Sequence, residues 1–414
     1  MDVQNLRDNY PKLIANMEES GYSTYYIKNL RREIERILSA ADSKNWETYT
    51  DIYMEYTGIS NSKPYLRSKL TYLGIIERFD NRGEYPNGRR QQKVIKRGLY
   101  YLLSPEFKAL IDCYRTTESK RNKKAITISS EASSGASFLY ALQQQGINTV
   151  DAITEAAVLS VFLGADGNLF PRGTCKKGIT SVLKACLREN FGCPKHLAKV
   201  LAYLPELRER RKNIQYLKQE ESHQIKQALT NEDSGLSFRD RAIGILAFYT
   251  GLRCCDIAGL TINDIDWDNE TIRIIQQKTQ APMELPLSVT VGNAVYEYIA
   301  SERPDTNCEY IFITAQRPYR HLTNRSLNNI SNKIMKAAGI RQNDGERRGF
   351  HIFRHRVATE MLGGGIPQPV ISRTLGHTSP GSLEAYLSAD FKHLKECALS
   401  IERFKMPEGV LGNV

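Results

Sequence analysis

The chain contains no apolar run near the ~20 residues that a membrane-crossing helix needs. Its longest, residues 156–164, is interrupted by Ser160, which argues against a membrane span. The first eight residues, MDVQNLRD, offer neither the basic start nor the apolar core of a secretory signal, so the expected location is cytoplasmic. Eight cysteines occur with no CxxC pair, and in that setting they read as reduced thiols. Cys175, Cys186, Cys193 and His196 match the spacing of no common zinc site and read as buried small side chains, with no metal expected. GxxxxGK[ST], GxGxxG and HExxH are all missing, which removes local support for nucleotide or zinc-dependent hydrolysis.

What is present is an ordinary core-forming composition with an excess of basic charge. The 414 residues are 41% hydrophobic and 25% charged, enough for two to four packed domains. Lys and Arg number 57 against 46 Asp and Glu, a formal charge of +11 that favours a polyanionic partner. The surplus is uneven: residues 82–124 hold twelve basic side chains and four acidic ones. Such a stretch fits a chain lying along phosphates, with a solvated loop as the other reading.

Apolar residues at Ile27, Leu30, Ile34, Ile37 and Leu38 predict a helix over 27–41, and two more are expected over 48–57 and 63–76. Asn81, Gly83 and Pro86 make 78–86 read as a turn-rich β segment, so this region hints at a winged-helix-like fold. Residues 116–130, polar and poor in large apolar side chains, read as a linker. Helices are expected over 138–144, 150–163, 174–190 and 195–204, and again over 240–250 up to Gly251. Thr271–Ile275 and Met283–Leu287 read as the strands of a hairpin whose turn carries Lys278, and the chain beyond Arg325 reads as helical.

In the last 165 residues, cationic groups surround one tyrosine. In a phosphodiester attacked by an oxygen nucleophile, negative charge concentrates on two non-bridging oxygens. Guanidiniums such as those of Arg253 and Arg354 can hold these oxygens bidentately at any working pH. His351 and Arg354, three apart, share a helix face. The Lys278 ammonium can act as a general acid toward a leaving oxygen. Tyr386 is a weak nucleophile until a cationic site favours its phenolate, and this cluster supplies one.

The order Thr250-Gly251-Leu252-Arg253 with Asp256 three positions on, His351-x-x-Arg354, Leu375-Gly376-His377 and Tyr386 nine residues later resembles the catalytic domain of the tyrosine recombinase, or phage integrase, family. With Lys278 between the first two motifs, the resemblance covers 218 to about 404. Residues 131–212 are similar in placement to the family's core-binding domain. The implied fold class is mostly α with a small β-sheet (α+β). The implied layout is a basic DNA-binding arm over 1–115, a linker over 116–130, a helical core-binding domain over 131–213, a catalytic domain over 216–405 and a tail over 406–414.

By the same resemblance, Tyr386 would attack the scissile phosphate to form a 3′-phosphotyrosyl bond. Arg253 and Arg354 would neutralise the phosphoryl oxygens, Lys278 would protonate the leaving 5′ oxygen, and His351 and His377 would position the phosphate or move protons. No cofactor would be needed. The expected partners are double-stranded DNA carrying recombination sites, further copies forming a tetramer, and accessory DNA-bending or directionality proteins, with no membrane involved. Integration, excision or transposition of a mobile element is the expected role; a type IB topoisomerase-like enzyme and a catalytically inactive DNA-binding regulator are the alternatives.

Four features depart from the family pattern or extend it. Asp256 stands where many relatives carry Glu. Gly363-Gly364-Gly365 reads as a loose joint, and Cys254-Cys255 as a buried pair without a redox role. Residues 391–404 read as a final helix, which by the same resemblance would dock on a neighbouring subunit.

Overall fold

The computed structural model describes residues 3–88, 94, 98–163, 173–207 and 215–377. The described residues gather into two compact units. One holds most of the chain up to 207, and the other holds 215–377 together with the short pieces 12–29 and 86–88.

The first stretch forms four helices: α1 (Gln4–Glu19), α2 (Thr24–Ala41), α3 (Tyr49–Ile59) and α4 (Lys63–Arg82). The α2 spacing is realised, with Ile27, Leu30, Ile34 and Ile37 all buried. Helix α1 is not evident from the sequence because Pro11 sits inside it, where proline removes a backbone donor and crowds the preceding turn. The expected β segment over 78–86 is corrected: Arg78–Arg82 are the last turn of α4, which stops at Gly83 in the left-handed region (φ 66°). No strand follows up to residue 88, so a winged-helix-like fold is not found among the described residues. Two other polar residues of that last turn are buried partners. Asp80 accepts from the Leu6 backbone N–H at 2.9 Å and from the Tyr49 hydroxyl at 2.8 Å, while Arg78 Nε donates to the Gly74 carbonyl.

Five helices follow: α5 (Pro105–Lys120), α6 (Ala125–Gln143), α7 (Glu155–Phe162), α8 (Gly173–Arg188) and α9 (Pro194–Ala202). The linker expected over 116–130 is corrected too, since it comprises the end of α5, a four-residue connection and the start of α6. Small residues just beyond it serve close packing. A Cβ on Gly178 of α8 would lie 2.5 Å from Ser134 Cβ and 2.8 Å from the Glu131 carbonyl, both on α6. Phe107, Tyr114, Phe138 and Phe162 fill one core that α5 shares with α6 to α9, so the boundary expected at residue 115 cuts through packed structure. Each such side chain contributes roughly 1.5–3 kcal/mol by leaving water. Cys175 and Cys186 lie in that core as apolar fillers, whereas Cys193, expected to be buried, is exposed just before α9.

The remaining stretch comprises α10 (Gln219–Thr230), α11 (Phe238–Thr250), α12 (Cys254–Ala258), β1 (Ile265–Asp266), β2 (Thr271–Ile275), β3 (Pro282–Pro286), α13 (Val289–Ser301), α14 (Asn324–Ala337), α15 (His351–Gly363) and α16 (Gln368–Leu375). The strands form one antiparallel sheet in the order β1-β2-β3, with Ile274 opposite Met283 and Ile272 opposite Leu285. These four side chains alternate into the core while Arg273 and Glu284 point outward. Helices around a small sheet make the chain α+β, as expected. The triple glycine after α15 is a built stop: Gly364, Gly365 and Ile366 N–H groups donate to the Glu360, Leu362 and Met361 carbonyls, with Gly365 at φ 74°. This corrects the loose joint expected there.

Candidate active site

Two helix ends and a hairpin bring the site together. Helix α11 runs into Gly251 at φ 63°, and the left-handed turn there lets Leu252 enter the core while Arg253 becomes the residue before α12. Arg253 Nη1 donates to Gln276 Oε1 at 2.7 Å, and its Nη2 donates to the Gly376 carbonyl at 3.0 Å. Three residues on, Asp256 is buried; its Oδ1 accepts the Gln277 backbone N–H at 2.8 Å and its Oδ2 stands 3.9 Å from Arg253. The shorter acid therefore fastens the hairpin to α12 and only brushes the guanidinium.

Helix α15 supplies the next pair. His351 opens it on the solvent side, and Arg354, one turn later, is only 2% exposed. Arg354 Nη1 donates to the Gly251 carbonyl at 3.1 Å, and its Nη2 donates to the Leu375 carbonyl. The two guanidiniums thus reach consecutive carbonyls of one turn, Leu375 and Gly376, which places their charges side by side. Backbone oxygens satisfy N–H donors without cancelling the charge.

That turn ends α16. Gly376 takes φ 62°, and the His377 N–H bonds back to the Ser372 carbonyl at 2.8 Å. Burial, then the charges of Arg354 and Arg253, push the His377 pKa down to about 4. His351 is lowered as well, by desolvation first and then by Arg354, Lys278 and Arg253. Both rings are therefore neutral at pH 7. Lys278 is exposed in the turn between β2 and β3, and its charge acts on both histidines.

The structure accordingly brings together Arg253, Lys278, His351, Arg354 and His377. Tyr386 lies outside the described residues, as does the helix expected over 391–404. Two neighbours are not evident from the motifs. His355 is buried with its ring 4.7 Å from that of His351, and burial followed by the His351 and Arg347 charges takes its pKa down to about 4. Gln276 is wholly buried between Arg253 and the Leu375 carbonyl. Its signal is parity: Ile272, Ile274 and Gln276 share the inward face, so an amide stands where the strand pattern calls for an apolar side chain. Beside the site, Cys254 and Cys255 are half-buried with raised pKa values, Cys255 to about 11, chiefly by desolvation; thiols in that state are poor nucleophiles.

A cationic cluster on a helical scaffold with a three-stranded sheet has the chemistry to hold a phosphodiester. Residues 215–393 match the phage integrase family. The chain is 40% identical over 163 residues to a Sinorhizobium fredii protein described as an integrase/recombinase, y4gC; the match covers 39% of this chain and 83% of that one. It is 28% identical over 175 residues to the tyrosine recombinase XerA of Pyrococcus furiosus, covering 42% of this chain and 57% of that protein. Among solved structures, the XerH site-specific recombinase in a post-cleavage complex with difH is 19% identical, covers 72% of this chain and 92% of its own, and has a TM-score of 0.54. The chain belongs to the phage integrase family, the tyrosine recombinases, which cut and rejoin DNA.

Proposed function

We propose that this chain is a site-specific recombinase acting on paired sites in double-stranded DNA, for integration, excision or transposition of a mobile element. The observation that carries the reading is the convergence of Arg253 and Arg354 on adjacent backbone carbonyls, with Lys278, His351 and His377 close enough for their charges to act on one another. In this reading the two guanidiniums hold the non-bridging oxygens of the scissile phosphate. The Tyr386 oxygen attacks phosphorus and the bond to the 5′ oxygen breaks. Lys278 gives that oxygen a proton, and a 3′-phosphotyrosyl link remains. The phenol proton passes to a neutral imidazole, that of His351 or His377; a bound phosphate dianion-like transition state beside these rings raises their proton affinity. Attack by a 5′ hydroxyl from the partner strand reverses the step and joins the new strand.

The bond energy is kept in the link, so the chemistry draws on no nucleotide. The reading includes a tetramer on two duplexes, with the basic stretch over 82–124 contacting flanking DNA. Part of that stretch already has intramolecular partners: Lys123 pairs with Glu118 and Glu131, and Arg115 with Asp112. Arg89, Arg90, Lys93, Lys96 and Arg97 lie outside the described residues.

A suicide duplex, nicked so that the released 5′ end diffuses away, tests the proposal. The native protein is expected to give a covalent protein–DNA adduct and Tyr386→Phe none. An absent native adduct favours an inactive regulator, and an adduct undiminished in Tyr386→Phe removes the nucleophile. Relaxation of supercoiled plasmid lacking any paired site points instead to a topoisomerase.

A further inference from the structure

Gln276 is the first residue past β2 and has no exposed surface. Its Oε1 accepts from Arg253 Nη1 and from Thr279 Oγ1, each at 2.7 Å, while its Nε2 faces the Leu375 carbonyl and Met283 Sδ, each at 3.4 Å. The orientation of the amide is forced. A guanidinium only donates and a carbonyl only accepts, so turning the amide over would set donor against donor and acceptor against acceptor. The amide also fills the space over Gly376, where any Cβ would overlap it. Gln276 and Arg354 meet on the Leu375 carbonyl, and Arg253 takes the next one.

We infer that Gln276 is a positioning residue. It ties Arg253, the hairpin that carries Lys278 and the turn that carries His377 into one arrangement, so that all three meet the phosphate together. Because the tie is an uncharged acceptor, it adds no negative charge to that of Asp256, 3.9 Å away, and leaves the Arg253 guanidinium attractive to the phosphate. A carboxylate in that place would cancel that attraction. The inference rests on the recombinase reading above.

The test is single-turnover adduct formation on the suicide duplex at saturating DNA, with DNA affinity and thermal melting measured alongside. Gln276→Met keeps the volume and removes both polar ends; it is expected to slow cleavage about 10- to 100-fold, as misplacement of a catalytic group does. DNA affinity should stay within about twofold, because many other phosphate contacts supply it. In an Arg253→Lys background the same substitution should cost far less, since the fork it positions is gone and only its tie between hairpin and turn remains; a residue that merely packs would cost the same in both backgrounds. Thr279→Val, at a part-buried site, should give a smaller loss, about threefold, that likewise shrinks with Arg253→Lys. This variant decides the matter if Gln276→Met melts below the assay temperature. Native-rate cleavage by either variant, or equal losses in the two backgrounds, overturns the inference while the recombinase reading stands. A native protein that forms no adduct overturns both.

Discussion

Buried charge is handled in opposite ways in the helical stretches and around the site. In the former, two buried acids meet cations: Glu33 is paired with Lys69 and Arg36, and Glu118 with Lys123 and Arg188. Around the site, Arg253 and Arg354 donate to backbone carbonyls and an uncharged amide, and the one carboxylate described beside Arg253, that of Asp256, stands back at 3.9 Å. The first arrangement neutralises charge and holds helices together. The second satisfies the donors yet leaves a positive potential for an anion.

That contrast can be tested by substitution. The largest effect should follow Arg354→Ala: cleavage of the suicide duplex falls about 100- to 1,000-fold, as when one donor to a transition-state oxyanion is lost. A fall of less than tenfold would mean that the carbonyl-held arginine is structural after all. Glu33→Ala should act on the other side of the comparison. It removes the partner of two cations and costs about 3 kcal/mol of stability by denaturant melts, with the cleavage rate of the folded fraction unchanged.

Asp256→Ala should fall between the two. The Gln277 N–H loses its acceptor, which costs about 1–3 kcal/mol, and the loosened hairpin should slow cleavage through Lys278 without changing DNA affinity. A smaller effect is expected from pH. Folded His355 and His377 have pKa values near 4, whereas unfolded histidine titrates near 6.5, so the unfolded chain takes up protons first. Their contribution is intact above about pH 6.5 and is lost as pH falls through about 4. Melting temperatures between pH 7.5 and 4.5 should decline, and the decline should flatten in His355→Gln. The smallest effect is expected from alkylation of Cys254 and Cys255, whose raised pKa values predict slow modification and no loss of cleavage. Rapid inactivation by a thiol reagent would show a reactive thiol next to Arg253.

The residues of the cationic cluster were legible because phosphate chemistry calls for particular types at fixed intervals: Arg253 after a helix-stopping glycine, His351 and Arg354 one turn apart, and His377 after Gly376. Strands β2 and β3 followed from their β-branched alternation. What escaped the sequence was polar residues in roles usually filled by apolar ones. Asp80 and Arg78 serve as buried partners in α4 beside the Asn81 and Gly83 that imitated a turn, and the polar residues of 116–130 imitated a linker while closing α5 and opening α6. Gln276 was hidden for the same reason, since it breaks no local pattern except strand parity.

Gly376 and Gln276 also constrain how this enzyme can be altered. The left-handed glycine and the amide above it occupy one volume, so neither position can change size alone. A hairpin transplanted from a relative with a small residue at 276 would leave a void over the turn. A side chain placed at 376 would need the opposite concession. Engineering of the hairpin should therefore treat residues 276 and 376 as one exchangeable unit, inherited together or not at all.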